Sequence, residues 1–134
     1  MGMVAWQVGN EEFEKQEIEE SMMGRMQRDK GKEGEREFAR ELTWALDCDA
    51  HRGRQYCGAP EAPDVKTSIK GVHFEVKRVE SLSLYKAMEQ AENECGDDIP
   101  VVGHRRSRKP WLIVVKLSDL SKLVKLLVAN EKEK

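Results

Sequence analysis

A carboxylate and an ammonium stand two residues apart in the run Phe74-Glu75-Val76-Lys77, and a second carboxylate, Asp64, follows Pro63 a short way upstream. Carboxylate oxygens are the ligands that hard divalent cations prefer. A lysine beside such an ion can hold an attacking water or a phosphate oxygen. Together these groups meet the needs of phosphodiester hydrolysis, which requires an activated water, charge stabilisation and help for the leaving oxygen. A third acid, Glu35, belongs to the stretch Lys32-Glu33-Gly34-Glu35-Arg36-Glu37-Phe38. Each element is weak alone: Glu-x-Lys is common as an exposed cross-strand ion pair, Asp after Pro is common in turns, and an early helical Glu often complements the helix dipole.

Those side chains need particular elements to converge. Val72, Phe74 and Val76 alternate with Glu75, Lys77 and Val79, which reads as a strand with one apolar face and the acid and lysine on the other. Lys70-Gly71 reads as a tight turn back to a preceding strand. With a two-residue turn, Ile69 pairs with Val72, Lys66 with Glu75 and Asp64 with Lys77, and a one-residue change would reverse the facing. Upstream, Phe38, Leu42 and Ala45 recur at helical spacing, so Glu35 projects from the core-facing side of that helix, while Glu33, Glu37 and Glu41 read as solvent-face charges.

Downstream, Leu84, Met88, Ala91 and Cys95 form a helical stripe from about Ser83, with Gly96 as its stop and Gln90 beside the stripe. Pro100 to Gly103 and Trp111 to Val115 read as two buried strands joined by the basic run His104-Arg105-Arg106-Ser107-Arg108-Lys109. Ser118-Asp119 caps a last helix carrying Leu120, Leu123, Val124 and Leu127. The expected fold class is α/β, a mixed central sheet flanked by helices. The expected organisation is an acidic, Met-rich leader over 1–29, a domain over 30–128 and a charged tail over 129–134. Phe13, Ile18 and Met22 give the leader only a weak helical stripe, compatible with a flexible tail or a subunit-contact helix.

The 134 residues suit one ordinary domain, and 36% of them are charged. The net charge of −2 is unevenly spread: −4 over 1–27, +1 over 28–79, −5 over 80–99 and +6 over 100–125. The basic segment can bind phosphates while the whole chain stays acidic. No apolar run approaches the roughly 18 residues of a membrane span, and the first ten residues lack a signal-peptide pattern. Three cysteines without CxxC spacing suit a reducing cytoplasm. Cys48, His51 and Cys57 match no usual zinc finger. His73 and His104 flank the acidic site and the basic run; either could touch phosphate, but a lone strand histidine is usually structural.

The ordered stretches Lys30 to Phe38, Pro63-Asp64-Val65, Phe74 to Lys77 and Ile99 to Val102 resemble the PD-(D/E)xK nuclease superfamily, and within it the archaeal-type Holliday-junction resolvases. The runs Arg54 to Ala59, His73 to Glu80 and His104 to Trp111 are similar to phage-encoded resolvases of that type. The resemblance spans about residues 28 to 120 and implies a restriction-endonuclease-like fold. It implies metal ligation by Glu35, Asp64, Glu75 and the Val76 carbonyl, with Lys77 as catalytic lysine and Gln90 near the site. It further implies Mg2+, for which Mn2+ can substitute, a homodimer, branched or junction DNA as substrate and a cytoplasmic location, in the host if phage-encoded. The expected DNA contacts are Arg52, Arg54, Arg78, Arg105, Arg106, Arg108 and Lys109. Arg52 and Arg54 occupy the region where the family carries a serine-bearing loop. Two other readings remain open: a related nuclease acting on flap, nicked or single-stranded DNA, and a DNA-binding module without catalysis.

Overall fold

The structure is a computed structural model that describes residues 2–53 and 63–133, with side chains from residue 11 onward except that of Phe13. It divides into two compact units, Met1–Gly31 and Lys32–Lys134. The leader is helical: α1 runs from Gly2 to Leu46, and Ile18 and Met22 are exposed on it. No described helix is long and apolar enough to cross a membrane.

The second unit is built on a five-stranded mixed sheet in the order β1 (Ala50–Arg52), β2 (Val65–Thr67), β3 (Val72–Arg78), β4 (Ile99–Arg105) and β5 (Leu112–Val115). β1, β2 and β3 pair antiparallel, β3 and β4 parallel, and β4 and β5 antiparallel. Parallel neighbours need a crossover, and α2 (Leu84–Glu94) supplies it. A single 3-10 turn, Leu117–Asp119, leads into α3 (Leu120–Lys132). The α/β class expected from the sequence is the observed one.

Alternation along β3 assigns its two faces. Phe74 and Val72 join Phe38, Leu42, Val101 and Leu123 in the larger core, with Val76 packed against it, so α1 and α3 cover this face. On the other face Ala87, Met88 and Ala91 of α2 pack with Val102 in a smaller core. α1 approaches the sheet very closely. A Cβ built on Gly103 would lie 2.4 Å from the Phe38 ring, so this position of β4 admits only hydrogen. Phe38 is fully buried and packs edge-on to Phe74 with centroids 5.9 Å apart. Burying such a ring contributes roughly 2 kcal/mol.

Several local expectations are corrected. The β2–β3 connection takes four residues, 68–71, rather than two, and Val65 pairs with Phe74. The Thr67 hydroxyl accepts from the Ile69 amide at 3.2 Å and closes this wider turn, while Ile69 is buried rather than paired with Val72. The register moves by two residues, which preserves the facing but sets Asp64 opposite Glu75 instead of Lys77. On α1 the buried partner of Phe38 and Leu42 is Ala39, and Ala45 is exposed. β5 is an edge strand with Leu112 and Ile113 exposed, not a buried one. Asp119 precedes α3 without a side-chain capping bond and pairs with Lys116 at 3.6 Å.

Replacing Gly103 by Ala forces the Phe38 ring away from β4. The expected loss is about 1–3 kcal/mol, read as a lower denaturant midpoint at an unchanged slope.

Candidate functional site

β3 is a central strand covered on both sides, a position that ordinarily carries apolar residues throughout. Its α2-facing side instead carries His73, Glu75 and Lys77. His73 and Glu75 are each 2% exposed. Buried polar groups must find partners, and here the partners come from β2 and α2.

Asp64 arrives on the first of these. Gly53, at the end of β1, donates its amide to the Asp64 carbonyl at 2.8 Å. A Cβ on Gly53 would fall 2.1 Å from the Pro63 carbonyl oxygen, so the close passage of β1 past Pro63-Asp64 depends on glycine. The Asp64 amide donates to the Phe74 carbonyl at 3.0 Å, and its Oδ2 accepts from the Val76 amide at 2.9 Å. The carboxylate thus replaces a ladder acceptor and is held against β3 beside Glu75.

α2 supplies the rest. Gln90 and Glu94 are one helical turn apart, about 6 Å along the axis. Residues 75 and 77 are separated by about 6.6 Å along the strand. The two spacings match in antiparallel sense. Lys77 Nζ donates to Gln90 Oε1 at 2.7 Å, and Glu94 lies against Glu75. His73 Nε2 lies 2.7 Å from Glu75 Oε1. One ligand atom each from His73, Glu75 and Glu94 lies within 4.8 Å of the others. This His-Glu-Glu group is the metal-competent cluster of three among the described residues.

The electrostatics follow from burial and like charge. Burial, contacts to the Glu94 and Asp64 carboxylates, and their negative charge push the Glu75 carboxyl up to about 10. Burial likewise holds the His73 imidazole below its usual value, against the opposing pull of Glu94, Asp64 and Asp98. Both shifts disfavour the charged forms at the centre of the site.

Glu35 is half-buried on α1, and its Oε2 accepts from Arg52 Nε at 2.5 Å. Burial raises its carboxyl and the nearby Asp64 charge adds to this, while Arg52 opposes both. Asp64, Glu75, Lys77 and Gln90 are therefore brought together around the edge of α2. Glu35 approaches Asp64 with Arg52 as its partner. Val76 contributes its amide to Asp64.

Among the expected DNA contacts, Arg106, Arg108 and Lys109 are exposed on the β4–β5 turn. Arg105 is half-buried and bound to Glu37, and its Nε donates to the Lys109 carbonyl at 2.6 Å. Arg78 lies 3.7 Å from Glu80 and is largely covered. Arg54 lies outside the described residues, as does Cys57. Cys48 is buried, its thiol directed to the Leu42 carbonyl, so it serves the core.

Glu37 is a correction. It is no solvent-face charge but half-buried, accepting from Trp111 Nε1 at 2.8 Å and from Arg105. Burial opposes its ionisation, yet Trp111 and Arg105 together hold it below the usual carboxylate range. It ties α1 to the base of the basic turn. Beside that turn, a cleft of about 590 Å³ has Leu84, Leu112 and Val114 in its lining and His104, Arg106 and Lys109 among its polar residues. His104 stands in register with Lys77, so the cleft adjoins the site.

His73 and Glu94 are not singled out by the sequence pattern as site residues. The signals were present: His73 shares Glu75's strand parity, and Glu94 follows Gln90 by one turn. No protein-family model matches the chain, and no curated protein or solved structure matches it.

Glu75 is protonated in the folded apo protein and ionised when unfolded, so its contribution to stability is complete below pH 4.5 and is lost progressively as the pH rises toward about 10. In the presence of a chelator, Glu75→Gln is expected to flatten the fall in melting temperature across that window.

Proposed function

We propose that this chain is a structure-selective, divalent-cation-dependent DNA endonuclease of the PD-(D/E)xK kind, with a restriction-endonuclease-like sheet, acting as a homodimer on four-way (Holliday) junctions. The observation that carries the reading is the seating of Glu75 and Lys77 on the α2 side of β3, with Asp64 held against that strand by the Val76 amide. A centre holding Asp64, Glu75 and Glu94 offers the oxygen donors that a divalent ion takes. Burial first, and then the Glu94 and Asp64 carboxylates, raise the Glu75 carboxyl, and a cation held there would offset both. Asp64, Glu75 and the Val76 carbonyl would hold Mg2+, and Glu35 would join them on exchanging Arg52 for the ion. When bound, the ion supplies Lewis acidity and lowers the pKa of a bound water.

The chain's own groups do the remaining work. Gln90 orients the Lys77 ammonium, which hydrogen-bonds the attacking water or a non-bridging phosphate oxygen. Held at the half-exposed end of this face, that ammonium is placed to meet developing negative charge. Arg106, Arg108 and Lys109 provide phosphate contacts beside the site, and Glu37 fixes the turn that carries them by gripping Arg105 and Trp111. Such contacts read shape and backbone rather than sequence, as a junction-selective enzyme requires.

Incubating the protein with Mg2+ and a panel of immobile four-way junction, flap, nicked duplex and single-stranded DNA tests the proposal. Paired symmetric cuts in the junction are expected. Preferential cutting of another member reassigns the substrate, and binding without cleavage leaves a DNA-binding module. Lys77→Ala is expected to slow cleavage by about a hundredfold or more while junction binding persists. Equal rates for the variant and the unsubstituted protein would remove the mechanism. Neutralising Arg106, Arg108 and Lys109 to Ala is expected to lower the slope of log K against log salt by about 0.9 for each DNA phosphate that these side chains neutralise.

A further inference from the structure

We infer that His73, Glu75 and Glu94 form an imidazole-containing divalent-cation site whose donor set selects Mn2+ over Mg2+. In assigning that ion to the nuclease centre the inference rests on the proposed function, but the binding site itself does not.

The geometry is that of a pocket with ligands from two elements. His73 and Glu75 project from the same face of β3, and Glu94 is the last residue of α2. Ligands at about 2.0–2.2 Å from a common ion lie roughly 3–4 Å from one another. The three donor atoms already lie within 4.8 Å of each other, and the His73–Glu75 separation of 2.7 Å needs to open by only a few tenths of an ångström. Side-chain rotation accomplishes this without moving either element.

The burial argues for a ligand rather than a structural pair. A central strand covered by α2 would be served there by Val or Ile, as Val102 serves the neighbouring strand. An imidazole and two carboxylates in that place leave one carboxylate more than a His–Glu pair needs. The phosphodiester chemistry proposed for the chain gives His73 no part. His73 is 2% exposed and directs Nε2 into the carboxylates, a second donor type pointing at the same centre.

The donor set also chooses its ion. Mg2+ prefers an all-oxygen octahedron and keeps several waters. An imidazole nitrogen suits first-row transition ions, whose affinities rise from Mn2+ along the series. A site with one nitrogen and two carboxylates retains positions for water or a phosphate oxygen, so it serves catalysis as well as binding. Asp64, set opposite Glu75, lies near enough to serve the same ion or an adjacent one.

Binding is read on the full-length protein without DNA, by titration calorimetry with Mn2+ and Mg2+ and by electron spin-echo spectroscopy of bound Mn2+. Mn2+ is expected to bind at least tenfold tighter than Mg2+ and to show the nitrogen modulation of a coordinated histidine. His73→Gln is expected to erase that modulation. Glu94→Gln, at a half-buried helix end that tolerates the change, is expected to weaken Mn2+ at least tenfold while leaving the modulation of any residual bound ion. Circular dichroism of both variants separates loss of ligand from loss of fold. If His73→Gln fails to fold, the modulation in the unsubstituted protein and the Glu94→Gln affinity decide the matter. Bound Mn2+ without nitrogen modulation, or affinity indifferent to Glu94→Gln, overturns the site. Mg2+-supported cleavage with no nitrogen signal refutes this inference and leaves the nuclease reading standing. A nitrogen signal with no cleavage of any DNA does the reverse.

Discussion

The structure depends on one costly burial, the Glu75 carboxyl on a central strand beneath a helix. A carboxylate there, unpaired, would ionise at a cost of several kcal/mol, so the surroundings must neutralise, hydrogen-bond or coordinate it. Each neighbouring element answers that demand. β2 departs from its ladder at Asp64 so that a side chain reaches the Val76 amide. α2 turns Gln90 and Glu94 toward the sheet, and β3 itself offers His73 and Lys77.

The same demand explains the asymmetry of the two layers. α1 and α3 cover an apolar face, where Phe38 sits against a glycine and packs with Phe74 and Trp111. α2 covers the mixed face with small residues, Ala87 and Ala91, and one flexible filler, Met88. Small side chains allow the helix to approach until its polar residues touch the strand. The apolar face secures the sheet, and the other can then hold charges that would not fold alone.

α1 links the site to the basic turn by neighbouring residues. Glu35 faces Arg52 and the Asp64 side, while Glu37 grips Trp111 and Arg105. Two acids two positions apart on a helix diverge by more than half a turn, so one serves the site and the other the turn. Arg105 thereby becomes a positioning residue for its exposed basic neighbours.

The sequence by itself determined the alternation of β3, and so the common facing of Glu75 and Lys77, because a strand's period of two is a property of the backbone. It also determined that helices lie around Phe38 and Met88 and the α/β order, since these too follow from local periodicity, but not which neighbours those helices bury, Ala39 rather than Ala45 on α1. Only the tertiary structure decided the register of Asp64, which hung on a turn of four residues rather than two, and the partners of Glu35 and Glu37, which come from residues far along the chain. His73 and Glu94 belonged to the same periods as the residues singled out. Nothing local shows that a strand face and a helix end will meet, because the packing that brings them together is set by α2 crossing from β3 to β4.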